Sequence, residues 1–358
     1  MAGIYLKNLT KRFGDTVAVN DLTLEIGDGE FVCLLGPSGC GKTTTLRCIA
    51  GLERHDDGNI YIGGTLVDDL PPVERDIAMV FQFPVVYPGM TVKENLAFPL
   101  KQRGYSKGEV NARVMEISKI LRLEGIMDSM ASDLDIGARQ RVAIGRALVR
   151  QPKALLLDEA LTNMDTRLKL MMIAELKKLH EELHQTTVYV THDQSEAMMM
   201  ADRIAVMNLG VLQQYDTPDA LYHKPENLFV AGFIGSPPMN FIDVTVDSVG
   251  EALIYGETQM RWPHVRELLK GKTGHELILG FRPEYASIHK ACPSGEHIKG
   301  RVDVAEFIGD HFSLDVQTER DMVKVLVERG VDVKIGEDVC LELRRIHLFD
   351  KATGEVIA

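Results

Sequence analysis

The sequence predicts an α/β domain followed by an all-β domain. A glycine-rich loop lies between an apolar run typical of a strand and a stretch typical of a helix. Residues 1 to about 235 alternate apolar strands with helical stretches, whereas the rest of the chain has short β-type runs separated by Gly, Pro and charged turns. The length of 358 residues exceeds a usual single core, so we expect two domains, 1–235 and 236–358.

The glycine-rich loop fits the phosphate-binding pattern G-x-x-x-x-G-K-[ST]. Glycines lack a Cβ, so successive backbone N–H groups can curl around phosphates at a helix N-terminus, where the aligned peptide dipoles favour an anion. We expect Lys42 to reach the terminal phosphates and Thr43 to ligate Mg²⁺; an ordinary glycine-rich turn is the alternative. The predicted nucleotide-binding residues of the loop are Gly36, Pro37, Ser38, Gly39, Cys40, Gly41, Lys42, Thr43 and Thr44.

A second apolar run, 154–159, ends in the two carboxylates Asp158 and Glu159. This pattern is typical of a central parallel strand whose carboxyl end opens onto the phosphate crevice. We expect Asp158 to hold Mg²⁺ and Glu159 to polarise the attacking water as general base. Many buried strands end in acids, so this motif gains its meaning from the phosphate loop.

Two further strands deliver polar side chains to the same edge. The run 186–191 precedes His192, whose imidazole could bond the γ-phosphate and orient the water. Gln82 follows the run 77–81, and its neutral amide could contact both Mg²⁺ and the water. In isolation, a structural histidine and a turn glutamine are the ordinary interpretations. Together with the carboxylates, they predict an ATP-hydrolysing site.

Composition limits the other function classes. The net charge of −12 opposes unspecific attraction to nucleic-acid phosphates or anionic lipid. No apolar run approaches the roughly 18 to 20 residues that span a bilayer, and the N-terminus lacks a signal-peptide pattern. We therefore expect a cytoplasmic chain that reaches a membrane through a protein partner. The five cysteines suggest neither a disulfide framework nor a zinc cluster; they are Cys33, Cys40, Cys48, Cys292 and Cys340.

Taken together, these motifs resemble the ATPase subunit of an ABC (ATP-binding cassette) transporter over residues 1 to about 235. The loop at 36–44, Gln82, Asp158 with Glu159, Asp165 and His192 match, in order, the Walker A, Q-loop, Walker B, D-loop and H-loop of that family. The resemblance implies a P-loop cassette with a mixed sheet. It also implies a helical subdomain at about 88–150 that packs with the Gln82 loop against membrane subunits.

The family resemblance also suggests an adenine contact. An aromatic residue upstream of Walker A stacks on adenine in this family, and Phe13 occupies that place. A buried hairpin phenylalanine is the alternative.

One segment departs from the family pattern. The family signature Leu-Ser-Gly-Gly-Gln reads here Leu134-Asp-Ile-Gly-Ala138, although the following Arg-Gln-Arg-Val-Ala is intact. In the family, two ATPases stack head to tail, and the signature of one closes on the γ-phosphate held by the other. Asp135 replaces a hydroxyl donor by a carboxylate, with a like-charge cost of about 4 kcal/mol at 4 Å and an effective dielectric of 20. Ile136 adds bulk, Ala138 removes an amide, and only Gly137 remains of the two glycines.

Asp135 also suits the N-cap of the next helix, expected to run from Arg139 to Val149. Both interpretations can hold, and we predict weak or no hydrolysis at the site that this signature faces. The chain then pairs either with a different ATPase, whose intact signature completes the site on Gly36–Thr44, or with itself, with two slow sites. We favour the first arrangement because the chain retains every residue of its own phosphate site.

The number and spacing of short strands in the C-terminal part predict a small β-barrel. A role in packing or dimerisation fits this barrel better than oligonucleotide binding, because a basic groove with interleaved aromatic residues is not evident. Three segments, 235–242, 280–284 and 347–350, resemble the regulatory domain of bacterial ATPases of carbohydrate and glycerol-phosphate importers, of the maltose-importer type. Related domains serve polyamine, iron and sulfate importers, so the solute stays open.

The importer resemblance implies a set of partners and a location. It implies MgATP, two multispanning permease subunits, an indirect extracytoplasmic solute-binding protein, and a peripheral position at the cytoplasmic face of the membrane. It implies no nucleic acid. The alternatives are an ATP-binding regulatory cassette with little turnover and a soluble ABC ATPase that acts on nucleic acid.

Overall fold

The computed structural model describes residues 2–162, 164–292, 297–330 and 333–357. The chain divides into two compact units, Met1–Pro218 and Asp219–Ala358. Within the described residues, no helix combines the length and the apolar character needed to cross a membrane.

The first unit alternates strands and helices, as the sequence predicts. Its strands are β1 (Ile4–Phe13), β2 (Thr16–Ile26), β3 (Phe31–Leu35), β4 (Asp57–Ile62), β5 (Thr65–Leu66), β6 (Ile77–Val80), β7 (Ala154–Asp158), β8 (Thr186–Thr191), β9 (Arg203–Asn208) and β10 (Val211–Asp216). Its helices are α1 (Lys42–Ala50), α2 (Val92–Gln102), α3 (Lys107–Ile120), α4 (Ile136–Leu148), α5 (Thr166–Leu183) and α6 (Gln194–Met200).

Two sheets build this unit. A six-stranded sheet has the order β10-β9-β3-β8-β7-β6, in which β10 pairs antiparallel with β9 and the other pairs are parallel. An antiparallel sheet has the order β2-β1-β4-β5. Strands β3, β7 and β8 are buried along their whole length, which explains the continuous apolar sequences of β3 and of β7 before Asp158. Their carboxyl ends meet at one edge of the sheet, where the predicted site residues follow.

Helix α1 packs in the core that the two sheets share. Leu46 and Ile49 of α1, Leu6 of β1 and Leu34 of β3 belong to one buried apolar cluster. The helices α2, α3 and α4 lie between β6 and β7 in the chain, within the segment predicted to be helical. Capping boxes begin two of them, since Thr91 and Ser106 each exchange hydrogen bonds with a glutamate three residues later.

The second unit is mainly β-structure, which confirms the predicted all-β domain. Its strands are β11 (Asn240–Val246), β12 (Leu253–Tyr255), β13 (Thr258–Met260), β14 (Glu276–Phe281), β15 (Ala286–His289), β16 (Ile298–Ile308), β17 (His311–Thr318), β18 (Met322–Glu328), β19 (Asp338–Leu343) and β20 (His347–Asp350). They form two antiparallel sheets, β13-β12-β11-β14-β20 and β15-β19-β16-β17-β18, whose apolar side chains share one core. Its helices are α7 (Pro218–His223), which begins at the boundary, α8 (Leu228–Phe233) and α9 (Pro263–Leu269).

The structural boundary between the two units lies at residue 218, before the predicted boundary at residue 235, because α7 and α8 pack against the β-sheets. Arg282 is fully buried and donates hydrogen bonds to the carbonyl oxygen of Tyr222, at 2.7 Å, and to that of Ile234. Its guanidinium also lies 3.8 Å from the Tyr222 ring centroid. A buried guanidinium needs such acceptors, so residues 219–235 pack with the β-structure. The functional boundary at residues 235 and 236 stays a prediction.

The cysteine interpretation needs one correction. Cys292 and Cys340 form a disulfide with a Cα–Cα distance of 5.3 Å, although the sequence suggested no disulfide framework. The β-sheet register places Cys340 opposite His289, the last residue of β15. Cys292 follows three residues later, so the chain after β15 brings it close to Cys340. An odd cysteine count does not reveal such a pair, because the other cysteines are free and buried in the first unit.

We expect Cys292→Ser to destabilise the second unit under oxidising conditions. The disulfide closes a sequence separation of 48 residues, for which the loop-entropy model gives at most about 4 kcal/mol. Chemical denaturation followed by tyrosine or tryptophan fluorescence measures the change in the free energy of unfolding. The control is the same comparison in a thiol reductant, because the wild type and the variant then both lack the disulfide and should be equally stable. Equal stability under oxidising conditions would contradict the prediction.

Candidate functional site

The glycine-rich loop joins β3 to α1. Gly41 is the N-cap of α1 with φ +100°, and a Cβ there would lie 2.2 Å from the Ala18 carbonyl oxygen, so only glycine fits. No side chain caps this helix and its first turn carries no acidic residue. The first N–H groups of α1 are therefore available to an anion, as the motif predicts.

Lys42 lies folded into the loop. It is 5% exposed, and its Nζ donates hydrogen bonds to the carbonyl oxygens of Gly36 at 2.7 Å and Pro37 at 2.8 Å. The Sγ of Cys40 lies 3.6 Å from the same nitrogen. The ammonium group thus stays inside the concave side of the loop, where an anion would meet it together with the N–H groups of α1.

The neighbouring strand end supplies a carboxylate to the loop. The Thr43 hydroxyl donates a hydrogen bond to Asp158 Oδ1 at 3.0 Å. Burial raises the pKa of Asp158, although the Thr43 hydrogen bond and the positive charges of Arg47 and Lys42 oppose the rise. A hydroxyl and a buried carboxylate at this distance are hard oxygen donors that suit Mg²⁺. The donor set therefore fits the metal that the sequence predicts.

Glu159 lies at the centre of the predicted catalytic group. Its Oε2 accepts a hydrogen bond from Gln82 Nε2 at 2.9 Å, and its Oε1 lies 3.4 Å from His192 Nδ1. Its backbone N–H donates to the carbonyl oxygen of Val190 in β8. The carboxylate is thus held between two polar side chains from the ends of two other strands. The structure brings together all three side chains that the sequence predicts to be catalytic.

Phe13 ends strand β1 at the surface. Phe13 is 48% exposed, so the alternative of a buried hairpin phenylalanine does not fit. Lys11 Nζ lies 4.8 Å from the ring centroid, and Lys11 itself pairs with Glu53 at 2.9 Å. An exposed ring on this strand remains available for stacking, and its adenine role stays a prediction.

The altered signature begins helix α4. Asp135 is the N-cap and its Oδ1 accepts a hydrogen bond from the Ala138 N–H at 2.7 Å, which confirms the capping interpretation. The helix begins at Ile136, three residues earlier than predicted, and Ile136 is exposed. A Cβ on Gly137 would lie 2.8 Å from Leu168 Cδ2, the end of a flexible side chain that can shift to make room, so packing does not by itself require this glycine.

Asp165 has a matching role one helix later. It is the N-cap of α5 and accepts a hydrogen bond from the Leu168 N–H at 3.0 Å. Two side chains near it were missed by the sequence reasoning. Lys169 and Glu196 form an ion pair of 2.8 Å, and Glu196 is almost fully buried. The only local indication was an acid four residues after His192, which alone means little.

Comparisons with known proteins agree with this geometry. Three family models match the chain: ABC transporter over residues 19–162, MalK OB fold domain over 235–286, and TOBE domain over 279–349. A solved dimeric ATP-binding cassette in a post-hydrolysis state, bound to ADP and Pi, has a TM-score of 0.55 at 34% identity. That likeness covers 60% of this chain and 98% of the other.

Curated relatives match over nearly their full lengths. The trehalose/maltose import ATP-binding protein MalK of Thermococcus litoralis is 47% identical over 100% of both chains. The sn-glycerol-3-phosphate import ATP-binding protein UgpC of Chromobacterium violaceum is 42% identical over 99% of this chain and 95% of the relative. The maltose/maltodextrin import ATP-binding protein MalK of Salmonella paratyphi A is 42% identical over 98% and 96%.

Proposed function

Because the chain belongs to the ABC transporter family as an ABC ATPase with MalK-type OB and TOBE domains, we propose that it powers the uptake of a carbohydrate or glycerol-phosphate solute. The main support for ATP hydrolysis is the position of Glu159 between Gln82 and His192, next to the end of β7 whose Asp158 contacts the phosphate loop. Relatives at 47% and 42% identity that import trehalose or maltose and sn-glycerol-3-phosphate support the solute class.

Each side chain then has a defined part in ATP hydrolysis. Lys42 exchanges its contacts with the loop carbonyls for oxygens of the terminal phosphates. Glu159 accepts a proton from the attacking water, while the Gln82 amide and the His192 imidazole keep its carboxylate aimed. Thr43, Asp158 and Gln82 would hold Mg²⁺, which when bound neutralises charge that develops on the phosphate oxygens.

The segment after β6 provides a surface for membrane subunits. A groove of about 520 Å³ is lined by apolar residues of this segment and of α2, together with Arg146 of α4 and two arginines that follow α2 and α4. Phe83 beside it is 69% exposed, Val85 within it is exposed as well, and Arg146 lies 4.3 Å from the Tyr87 ring centroid. Gln82 lies in this segment, two residues after the end of β6, so a subunit bound in the groove contacts the segment that carries a site residue. We propose that two multispanning permeases bind here, with the chain peripheral at the cytoplasmic face and a solute-binding protein acting indirectly.

The signature supports pairing with a different ATPase. At the N-terminus of α4, the Asp135 carboxylate already accepts the hydrogen bond of the Ala138 N–H. A phosphate would meet that negative charge and the exposed Ile136. A second chain with an intact signature would complete the site on Gly36–Thr44, whereas this chain offers a poor signature in return.

We also propose that residues 1–235 form the cassette and residues 236–358 the regulatory domain.

Isolation of the complex from its native membrane tests the importer assignment. We expect an affinity-tagged chain to retain multispanning subunits and a second ATPase polypeptide with an intact Leu-Ser-Gly-Gly-Gln. Val85→Asp should release the multispanning subunits, because it places a charge in the apolar groove. The control is Val249→Asp, at an exposed valine of the second unit. Absence of any multispanning subunit would count against the importer, and a single ATPase polypeptide with rapid turnover would count against the two-chain pairing.

A further inference from the structure

The Glu196 carboxylate is buried and makes contacts on both oxygens. Its Oε2 accepts hydrogen bonds from the Tyr189 hydroxyl and, at 2.6 Å, from the Thr191 hydroxyl. Its Oε1 lies 2.8 Å from Lys169 Nζ, and the Glu196 side chain is only 1% exposed. A buried carboxylate persists as an anion only when it is paired and hydrogen-bonded. Lys169 supplies the positive charge that this site needs.

Lys169 belongs to the first turn of α5. Its backbone N–H donates a hydrogen bond to the Asp165 carbonyl oxygen at 2.8 Å. The Asp165 side chain caps the same turn through the Leu168 N–H. The position of Lys169 is therefore tied to Asp165, the predicted D-loop residue.

The other end of the network surrounds His192. The Thr191 hydroxyl accepts a hydrogen bond from the Asp193 N–H at 3.0 Å, and Asp193 Oδ2 lies 3.3 Å from Lys169 Nζ. His192 stands between these two residues in the chain, and its Nδ1 faces Glu159 Oε1 at 3.4 Å. Both neighbours of the histidine thus belong to the network that contains Lys169.

The charge of Lys169 is stable in this setting. Burial lowers the pKa of its ammonium group, but its close contacts with the carboxylates of Glu196 and Asp193 outweigh burial, so the pKa is raised. The lysine stays protonated throughout the neutral range. A neutral residue of similar length would leave Glu196 without a countercharge.

We propose that the Lys169–Glu196 pair is a positioning pair for ATP hydrolysis, which fixes His192 relative to Asp165 at the start of α5. Among the described residues, no hydrogen bond or ion pair joins Lys169 or Glu196 to the predicted nucleotide loop or to Glu159, so they act through the segments that they hold. This inference rests on the proposed function, because it assigns a use to the ATPase site. If the pair only stabilised the fold, its removal would lower the melting temperature without a specific effect on His192.

The first test compares Lys169→Met with Lys169→Arg and Lys178→Met in the assembled complex. We expect Lys169→Met to lower kcat about tenfold with KM for ATP within about twofold, since the nucleotide loop is untouched. Lys169→Arg keeps the charge and should recover most of kcat. Lys178→Met removes an exposed ion pair with Glu182 on the same helix and should match the wild type. A kcat for Lys169→Met within about twofold of wild type would overturn the proposal.

The second test needs no turnover. In the full chain with ¹³C-labelled histidine, the His192 imidazole resonance, assigned through its loss in His192→Ala, should move in Lys169→Met and return in Lys169→Arg. An unmoved resonance in folded Lys169→Met would overturn the positioning role. A wild-type complex without ATPase activity would instead contradict the proposed function, and this readout would still decide the positioning role.

Discussion

Replacing Glu159 by Gln lowers the ATPase kcat of the assembled complex by about 100-fold or more, because the amide cannot accept the proton of the attacking water. The substitution preserves the size of the side chain, and its amide oxygen can still accept the hydrogen bond from Gln82, so ATP binding should persist. Steady-state ATPase assays give kcat, and nucleotide titration by fluorescence gives the affinity. Retained binding with lost turnover would assign the residue to the chemical step.

The matched control for this change is Glu182→Gln, at an exposed glutamate of α5 whose only described ion pair is with Lys178. We expect it to leave kcat unchanged, because exposed pairs contribute little. If Glu159→Gln also left the rate of the complex unchanged, the chain would not be the hydrolytic one. The regulatory-cassette interpretation would then replace the proposed function.

Restoring the family signature raises hydrolysis at the site that α4 faces. The triple change Asp135→Ser, Ile136→Gly and Ala138→Gln removes a carboxylate whose repulsion of a phosphate amounts to about 4 kcal/mol at 4 Å and an effective dielectric of 20. Serine is also a good N-cap, so α4 should keep its first turn. Even a third of that repulsion corresponds to a rate increase of about tenfold.

The two sites of a heterodimer can be separated in this experiment. Glu159→Gln in the same chain silences the site on Gly36–Thr44, so the remaining turnover reports the partner's site, which the restored signature faces. Asp135→Asn is the control that keeps the cap and removes the charge, since asparagine caps as well as aspartate. A gain with Asp135→Asn alone would assign the defect to charge. No gain from the triple change would contradict the proposal that this signature limits hydrolysis.

Local patterns were sufficient for much of the nucleotide site. The apolar run before Gly36 has no polar position that could face water and is too short for a typical helix, which favours a buried strand, and β3 is buried throughout. The loop and α1 follow from their own residues, because a phosphate loop is a contiguous motif. The same holds for β7 with Asp158 and for β8 before His192, whose carboxyl ends meet once the strands are parallel. Boundaries were less certain, as α4 illustrates by beginning at Ile136.

Local sequence patterns predict the class of fold, the nucleotide loop and the polar side chains at the strand ends. The contacts between distant residues are visible only in the folded chain: Glu159 meets Gln82 and His192, and Cys292 bonds to Cys340. The buried pair of Lys169 and Glu196 also came from the structure alone. The difference lies in how far apart the interacting residues are along the chain. Strand and loop formation depends on neighbours in the chain, whereas these contacts join residues far apart in sequence, whose approach is set by the packing of β-strands and helices.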